Sequence, residues 1–314
     1  MSMKNGYARI GSVVVGVFVA VGCTNGGSDG GGGQGGNGGA PAAGPAFAIA
    51  ATPTTPIDAA PDAAGATIFF LGDGGEGLGL YSVAATGGAA KKILVGAPLA
   101  SPAGLAFLPS DGKVYVADKT AGLLAVNVAS GAATAVAGAE ASQPLALDVD
   151  DASKTIYFTS GKDGTLYSLP AAGGTPKALS EPGKFVDAEG VAVAHKASAE
   201  TVYVADRKDG KAGTLYKVTG GKSTPLGGAF VPGTPSGIAL PLDESVIAVS
   251  ALDATGASSE VDFFDTSTGA RTTYNDAIKQ NHGSGGLHRA YNANIFAWCG
   301  IAATSGGVVY RVTL

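Results

Sequence analysis

The sequence predicts an all-β chain made of six similar units, and three observations carry that prediction. The stretch KTIYFTSGKDGTLYSLPAAGGTPKAL, from Lys154 to Leu179, is nearly repeated from Thr201 as TVYVADRKDGKAGTLYKVTGGKSTPL. Its apolar core occurs six times: TIFF at Thr67, KVYV at Lys113, TIYF at Thr155, TVYV at Thr201, VIAV at Val246 and NIFA at Asn294. The spacing is roughly 42 to 48 residues. Each core is rich in β-branched and aromatic residues and bounded by Gly or Asp, which favours strands over helices.

Each unit divides into four strands. A first strand precedes the core (PIDAAPD, PAGLAFLP, PLALDVD, AEGVAVA, PSGIALP, GGLHRAY). A third follows it (GLGLYSVAA, GLLAVNVAS, GTLYSLPAA, GTLYKVTGG, SEVDFFDTS, GVVYRVTL), and a weaker fourth closes five of the units (KKILVG, AATAVAG, TPKALS, TPLGGA, RTTYND). The core strands barely alternate in polarity, as expected when neighbours cover both faces. Four-stranded units at this period are the blades of a β-propeller, none of which buries its faces alone. The sixth unit ends at Leu314 before any fourth strand, whereas AFAIAATP, Ala46 to Pro53, has no partner at the other end. The expectation is a six-bladed β-propeller over residues 46–314, its N-terminal strand closing the last blade.

Composition excludes some functions. The chain has 314 residues, 51 of them Gly, and 20 Lys and Arg against 25 Asp and Glu, for a formal charge of -5. A non-specific grip on nucleic acid needs a basic footprint that is not present. Two cysteines, Cys23 and Cys299, make no disulfide framework.

The N-terminus carries an address. Lys4 and Arg9 precede an apolar run from Ile10 to Val21, too short to span a bilayer comfortably but suited to a signal-peptide core. The following AVGCTNGG, Ala20 to Gly27, resembles a bacterial lipobox, although Ala20 stands where Leu is commonest. The resemblance implies a signal peptide over residues 1–22, lipidation of Cys23 and, since Thr24 is not Asp, the outer membrane. Acyl chains contribute about 0.8 kcal/mol per buried CH₂, so several of them anchor firmly. Residues 23–45, with NGGSDGGGGQGGNGGAPAAGP from Asn25, read as the lipidated cysteine and a flexible tether.

Two blades carry a family likeness. PAGLAFLPSDGKVYVADKTAGLL, Pro102 to Leu124, resembles the NHL and gluconolactonase-type repeat, and KTIYFTSGKDGTLYSLPAAGG resembles a YWTD-type blade. In the gluconolactonase type, side chains at the axial end of several innermost strands hold a divalent ion. The corresponding positions here are Ile57, Ala103, Leu145, Glu189, Ser236 and Gly285, with Glu189 the only carboxylate. A hard cation needs several converging oxygens. The reading is therefore a non-catalytic binding or scaffold lipoprotein of the cell envelope. A metal-dependent lactonase with a degenerate site is the alternative, and a structural spacer a third reading. No catalytic residue, metal ligand set or cofactor is assigned.

Other motifs are read as structural. The GxGxxG formed by Gly72, Gly74 and Gly77 precedes a strand rather than the helix a dinucleotide site needs, and reads as a hairpin turn. His195, His282 and His288 have no accompanying ligand set or nucleophile elbow. Asp118 and Asp206 end the second strand of their blades, where Asp caps turns; Ser160 and Cys299 stand at matching places. Cys299 reads as a buried apolar residue.

The propeller geometry implied by the resemblance puts two kinds of loop on one rim. These are the loops leading into each first strand and those joining second to third. Binding function concentrates in loops held by a rigid scaffold. The charged loop DRKDGKAG makes a candidate binding rim of Asp206, Arg207, Lys208, Asp209 and Lys211. Glu189 adds to it from the same blade, Asp253 from ALDATGASSE and His282 from blade six. The expected partners are the membrane, through Cys23, and an envelope protein or small polar ligand on this rim, with the chain a monomer.

Overall fold

The computed structural model describes residues 46–207, 213–226, 235–252, 259–274, 281–302 and 306–313. Its first element is the strand Ala46–Ala51 (β1). Blade one comprises Asp58–Pro61 (β2), Thr67–Asp73 (β3), Leu78–Ala84 (β4) and Lys91–Val95 (β5). Blade two comprises Pro102–Leu108 (β6), Lys113–Asp118 (β7), Gly122–Asn127 (β8) and Ala133–Ala135 (β9). Blade three comprises Pro144–Asp150 (β10), Thr155–Ser160 (β11), Leu166–Pro170 (β12) and Lys177–Ala178 (β13). Blade four comprises Ala188–Ala194 (β14), Thr201–Asp206 (β15), Thr214–Thr219 (β16) and Lys222–Pro225 (β17). Blade five comprises Pro235–Ala239 (β18), Val246–Leu252 (β19), Ser259–Asp265 (β20) and Arg271–Tyr274 (β21). Blade six comprises Asn281–Arg289 (β22), Ile295–Ala302 (β23) and Gly306–Thr313 (β24), with β1 as its outermost strand.

All six sheets are four-stranded and antiparallel, and the innermost strands pack successively from β2 to β22 and back to β2. The fold is a closed six-bladed β-propeller. Its closure is the one the sequence implies: β1 pairs antiparallel with β24, Ala46 opposite Thr313 and Phe47 opposite Val312. Phe47 meets Trp298 and Tyr310 edge-on at 6.3 and 6.2 Å, and those two rings stack at 5.1 Å.

Six hydrophobic clusters fill the spaces between neighbouring blades. On β7, Val114 and Val116 join Phe69, Leu71 and Leu80 of blade one, whereas Tyr115 and Ala117 join Leu147, Ile156 and Phe158 of blade three. Both faces are covered, so a second strand has no reason to alternate in polarity. Each fully buried Leu, Val or Phe contributes about 1.5–3 kcal/mol, so most of the burial energy lies between blades, not within them.

Two details differ from the sequence reading. The fourth strand of blade four begins at Lys222, ahead of TPLGGA, because Gly220 and Gly221 both take positive φ (60° and 80°). Two such residues make the tight hairpin whose pairing starts at once, and Thr219 lies opposite Lys222. In blade six, β22 slips register between Ser284 and Leu287, which moves the ring position from Gly285 to Gly286.

Candidate functional site at the channel

The innermost strands run from an upper mouth at their N-terminal ends to a lower mouth at their C-terminal ends. At the upper mouth, Ile57, Ala103, Leu145, Glu189, Ser236 and Gly286 line a chamber of about 190 Å³, with Asp58, Ser101, Pro102 and Lys119. Five of the six ring positions are those derived from the sequence.

Aspartates at the ends of the second strands build this rim. Asp118 is fully buried; its Oδ2 accepts from the amides of Ala100 and Ser101, and its Oδ1 from those of Thr120 and Ala121. It therefore caps its own turn and also fastens the loop leading into β6. Burial opposes the charge, but the four amides outweigh it and hold the carboxyl below the usual range. In blade four, Asp206 Oδ1 accepts from Val186 and Asp187 amides at 3.0 and 2.8 Å. In blade three, Ser160 donates to the Ser142 carbonyl at 2.8 Å. These bonds fasten the loops leading into β6, β10 and β14, and the turn-capping reading holds for Asp118.

Of the candidate rim residues, the structure brings together Glu189 and Arg207. The Arg207 guanidinium pairs with Glu189 Oε2, and its Nε lies 3.8 Å from Asp187 Oδ2. Asp206 stands beside them but points inward and is only 1% exposed, so it holds backbone rather than facing solvent. Lys208, Asp209, Lys211, Asp253 and the His282 side chain lie outside the described residues, as does Cys23.

Two channel residues received no role from the sequence. Asp58 is 3% exposed; its Oδ1 accepts from its neighbour Ala59, and its Oδ2 from Leu105 on the next blade, both at 2.8 Å. His288 Nε2 lies 3.1 Å from the same Oδ2. Burial disfavours the imidazolium, but the Asp58 carboxylate, and more distantly Asp148, raise its pKa above the ordinary value. Asp148 repeats the device in blade three, accepting from Val149 at 2.8 Å and from Val193 of blade four at 2.9 Å. The inner edge of an innermost strand presents amides with no ladder partner, and a short carboxylate reaches the next blade to satisfy one. An isolated Asp in PIDAAPD or LALDVD carries no periodic signal, so the sequence assigns neither a bond between blades. Gly286 makes room for Asp58, since a Cβ there would collide with Asp58 Oδ1.

The glycine-rich hairpin and Cys299 are structural, as read from the sequence. Asp73 Oδ1 accepts from Gly75 and Gly77 amides in the β3–β4 hairpin. Cys299 lies within the core between blades six and one, where burial, reinforced by Asp58, pushes its thiol well up. Among the described residues, no three His, Cys, Asp or Glu side chains are grouped to hold a metal ion.

No protein-family profile matches the chain, and no curated protein matches it. Solved structures do. A chain from a nidogen/laminin complex is 15% identical with a TM-score of 0.54, over 86% of this chain and 98% of that one. The luciferin-regenerating enzyme is 14% identical with a TM-score of 0.62, over 86% and 96%. A putative TolB from Agrobacterium tumefaciens is 14% identical with a TM-score of 0.54, over 68% and 74%. At these identities the likeness is one of fold. The chain is a propeller-repeat protein.

Proposed function

We propose that this propeller is a non-catalytic binding module of the cell envelope, tethered through a lipid on Cys23 and presenting the upper rim of blades four to six. The observation that carries the reading is the Arg207–Glu189 pair. The only carboxylate among the six ring positions is already neutralised by a guanidinium, so a cation entering there must displace Arg207. What remains is a chamber of about 190 Å³ with apolar Ile57 and Leu145, the hydroxyl of Ser236, the ammonium of Lys119, and Asp58, whose carboxylate is engaged by two backbone amides and His288. That lining suits a small polar ligand or the side chains of a docking protein. The structural neighbours include a chain from a protein–protein complex and an enzyme, so the fold by itself favours neither class.

The test has two parts. Cys23→Ser should move the protein from the membrane fraction to the soluble fraction, and retention on membranes refutes the tether. Full-length protein should recover a partner or ligand from envelope extracts that Arg207→Ala recovers poorly at unchanged thermal stability. Equal recovery by both proteins removes the rim from the reading.

A further inference from the structure

The lower mouth is a second chamber, distinct from the rim of the proposed function. It has a volume of about 40 Å³, and all six innermost strands contribute to its walls. A water occupies roughly 10–15 Å³ by this measure, so the chamber holds about three waters or a ligand with few heavy atoms.

Its charges are arranged by sign. Asp148 belongs to blade three, whereas His288 and Arg289 belong to blade six, and in a ring of six those blades face each other across the axis. Each Asp148 oxygen accepts one backbone amide, which leaves one lone pair on each. On the facing wall, Asp58 engages His288 through Nε2 only. Arg289 spends Nε on the Leu240 carbonyl and Nη1 on those of Ala290 and Tyr291. Among the described residues, His288 Nδ1 and Arg289 Nη2 have no hydrogen-bond partner. Both residues, like Asp148, line the chamber. His195 and Tyr291, which meet edge to face at 5.7 Å, complete its lining.

A plain carboxylate entering this chamber meets the repulsion of Asp148, and a plain amine meets that of Arg289, while His288, whose charge Asp58 offsets, adds the Nδ1–H donor. A ligand carrying both charges a few atoms apart is attracted by both walls.

We propose that the lower mouth binds a small zwitterion, an α-amino acid of glycine or alanine size, with its ammonium toward Asp148 and its carboxylate toward His288 and Arg289. The probes on the full-length wild-type chain are glycine, alanine, acetate and ethylammonium, followed by calorimetry. Glycine or alanine should bind, with acetate and ethylammonium at least about tenfold weaker, the loss of one charge-assisted partner. Asp148→Asn and His288→Gln should each weaken glycine binding by a similar factor. No heat of binding from glycine or alanine at about 50 mM overturns the proposal. So does equal binding of acetate or ethylammonium, which needs no variant to fold. Undiminished glycine binding by a folded Asp148→Asn protein places the ligand elsewhere and overturns it too.

Discussion

His288 Nε2 and Asp58 Oδ2, 230 positions apart in sequence, meet at 3.1 Å and join the last innermost strand to the first inside the channel. Because the same Asp58 oxygen accepts from Leu105, one carboxylate ties blades six, one and two together. Breaking a buried ion pair from one side costs about 3 kcal/mol, so His288→Gln should destabilise the domain by roughly that amount at about pH 6. The folded-state pKa of His288 is raised. The pair's contribution is therefore complete below the ordinary value of 6.5 and is lost as pH climbs through the raised value. Denaturant midpoints of wild type and variant should converge at alkaline pH, and a gap that is constant with pH would contradict the charged pair.

Asp118→Asn tests the rim mounting. One amide oxygen cannot replace a carboxylate that accepts from four part-buried amides, and the loss at neutral pH should be about 1–3 kcal/mol by urea unfolding. The folded pKa is lowered here, so the stabilisation is present above the ordinary aspartate value of 3.8 and fades as pH falls through the lowered one. The difference from wild type should narrow on acidification. A variant as stable as wild type at pH 7 would show the four bonds to be dispensable.

Gly286→Ala should cost about 1–3 kcal/mol, the usual range for overpacking a filled site. The added methyl can be accommodated only by moving Asp58 or β22. The His288 resonance should then titrate closer to its ordinary pKa by NMR, and an unchanged titration would show that the carboxylate had not been displaced.

Deleting residues 46–53 removes β1, the Phe47 contacts with Trp298 and Tyr310, and the ladder from Ala46 to Ala51. The melting temperature should fall by many degrees, whereas deleting the Gly26 to Gly44 tether should leave it nearly unchanged. Equal shifts from the two deletions would contradict closure by β1.

Architecture was legible because a blade is a local pattern repeated. The six cores from TIFF to NIFA each predicted a second strand that the structure contains, and the orphan AFAIAATP predicted the closing pair. Weak outer strands were placed less well. In blade four the Gly220–Gly221 turn, not the apolar content of TPLGGA, decides where pairing begins. The channel was only half legible. Ring positions follow from strand register, so Glu189 and Ser236 were found, and a bulge in β22 displaced only Gly285. Asp58, Asp148 and His288 act through bonds between blades, and their pairing depends on ring closure, which no window of sequence displays.

Closure by β1 also fixes the order of events during synthesis. Ala46–Ala51 leaves the ribosome before any blade, yet the strand it must join, Gly306–Thr313, is made after every other strand of the propeller. Until then β1 has a bare edge, and so does the unfinished sixth blade. A chain that stops short of Gly306 carries a latch with no catch, so the ring reports on its own completeness.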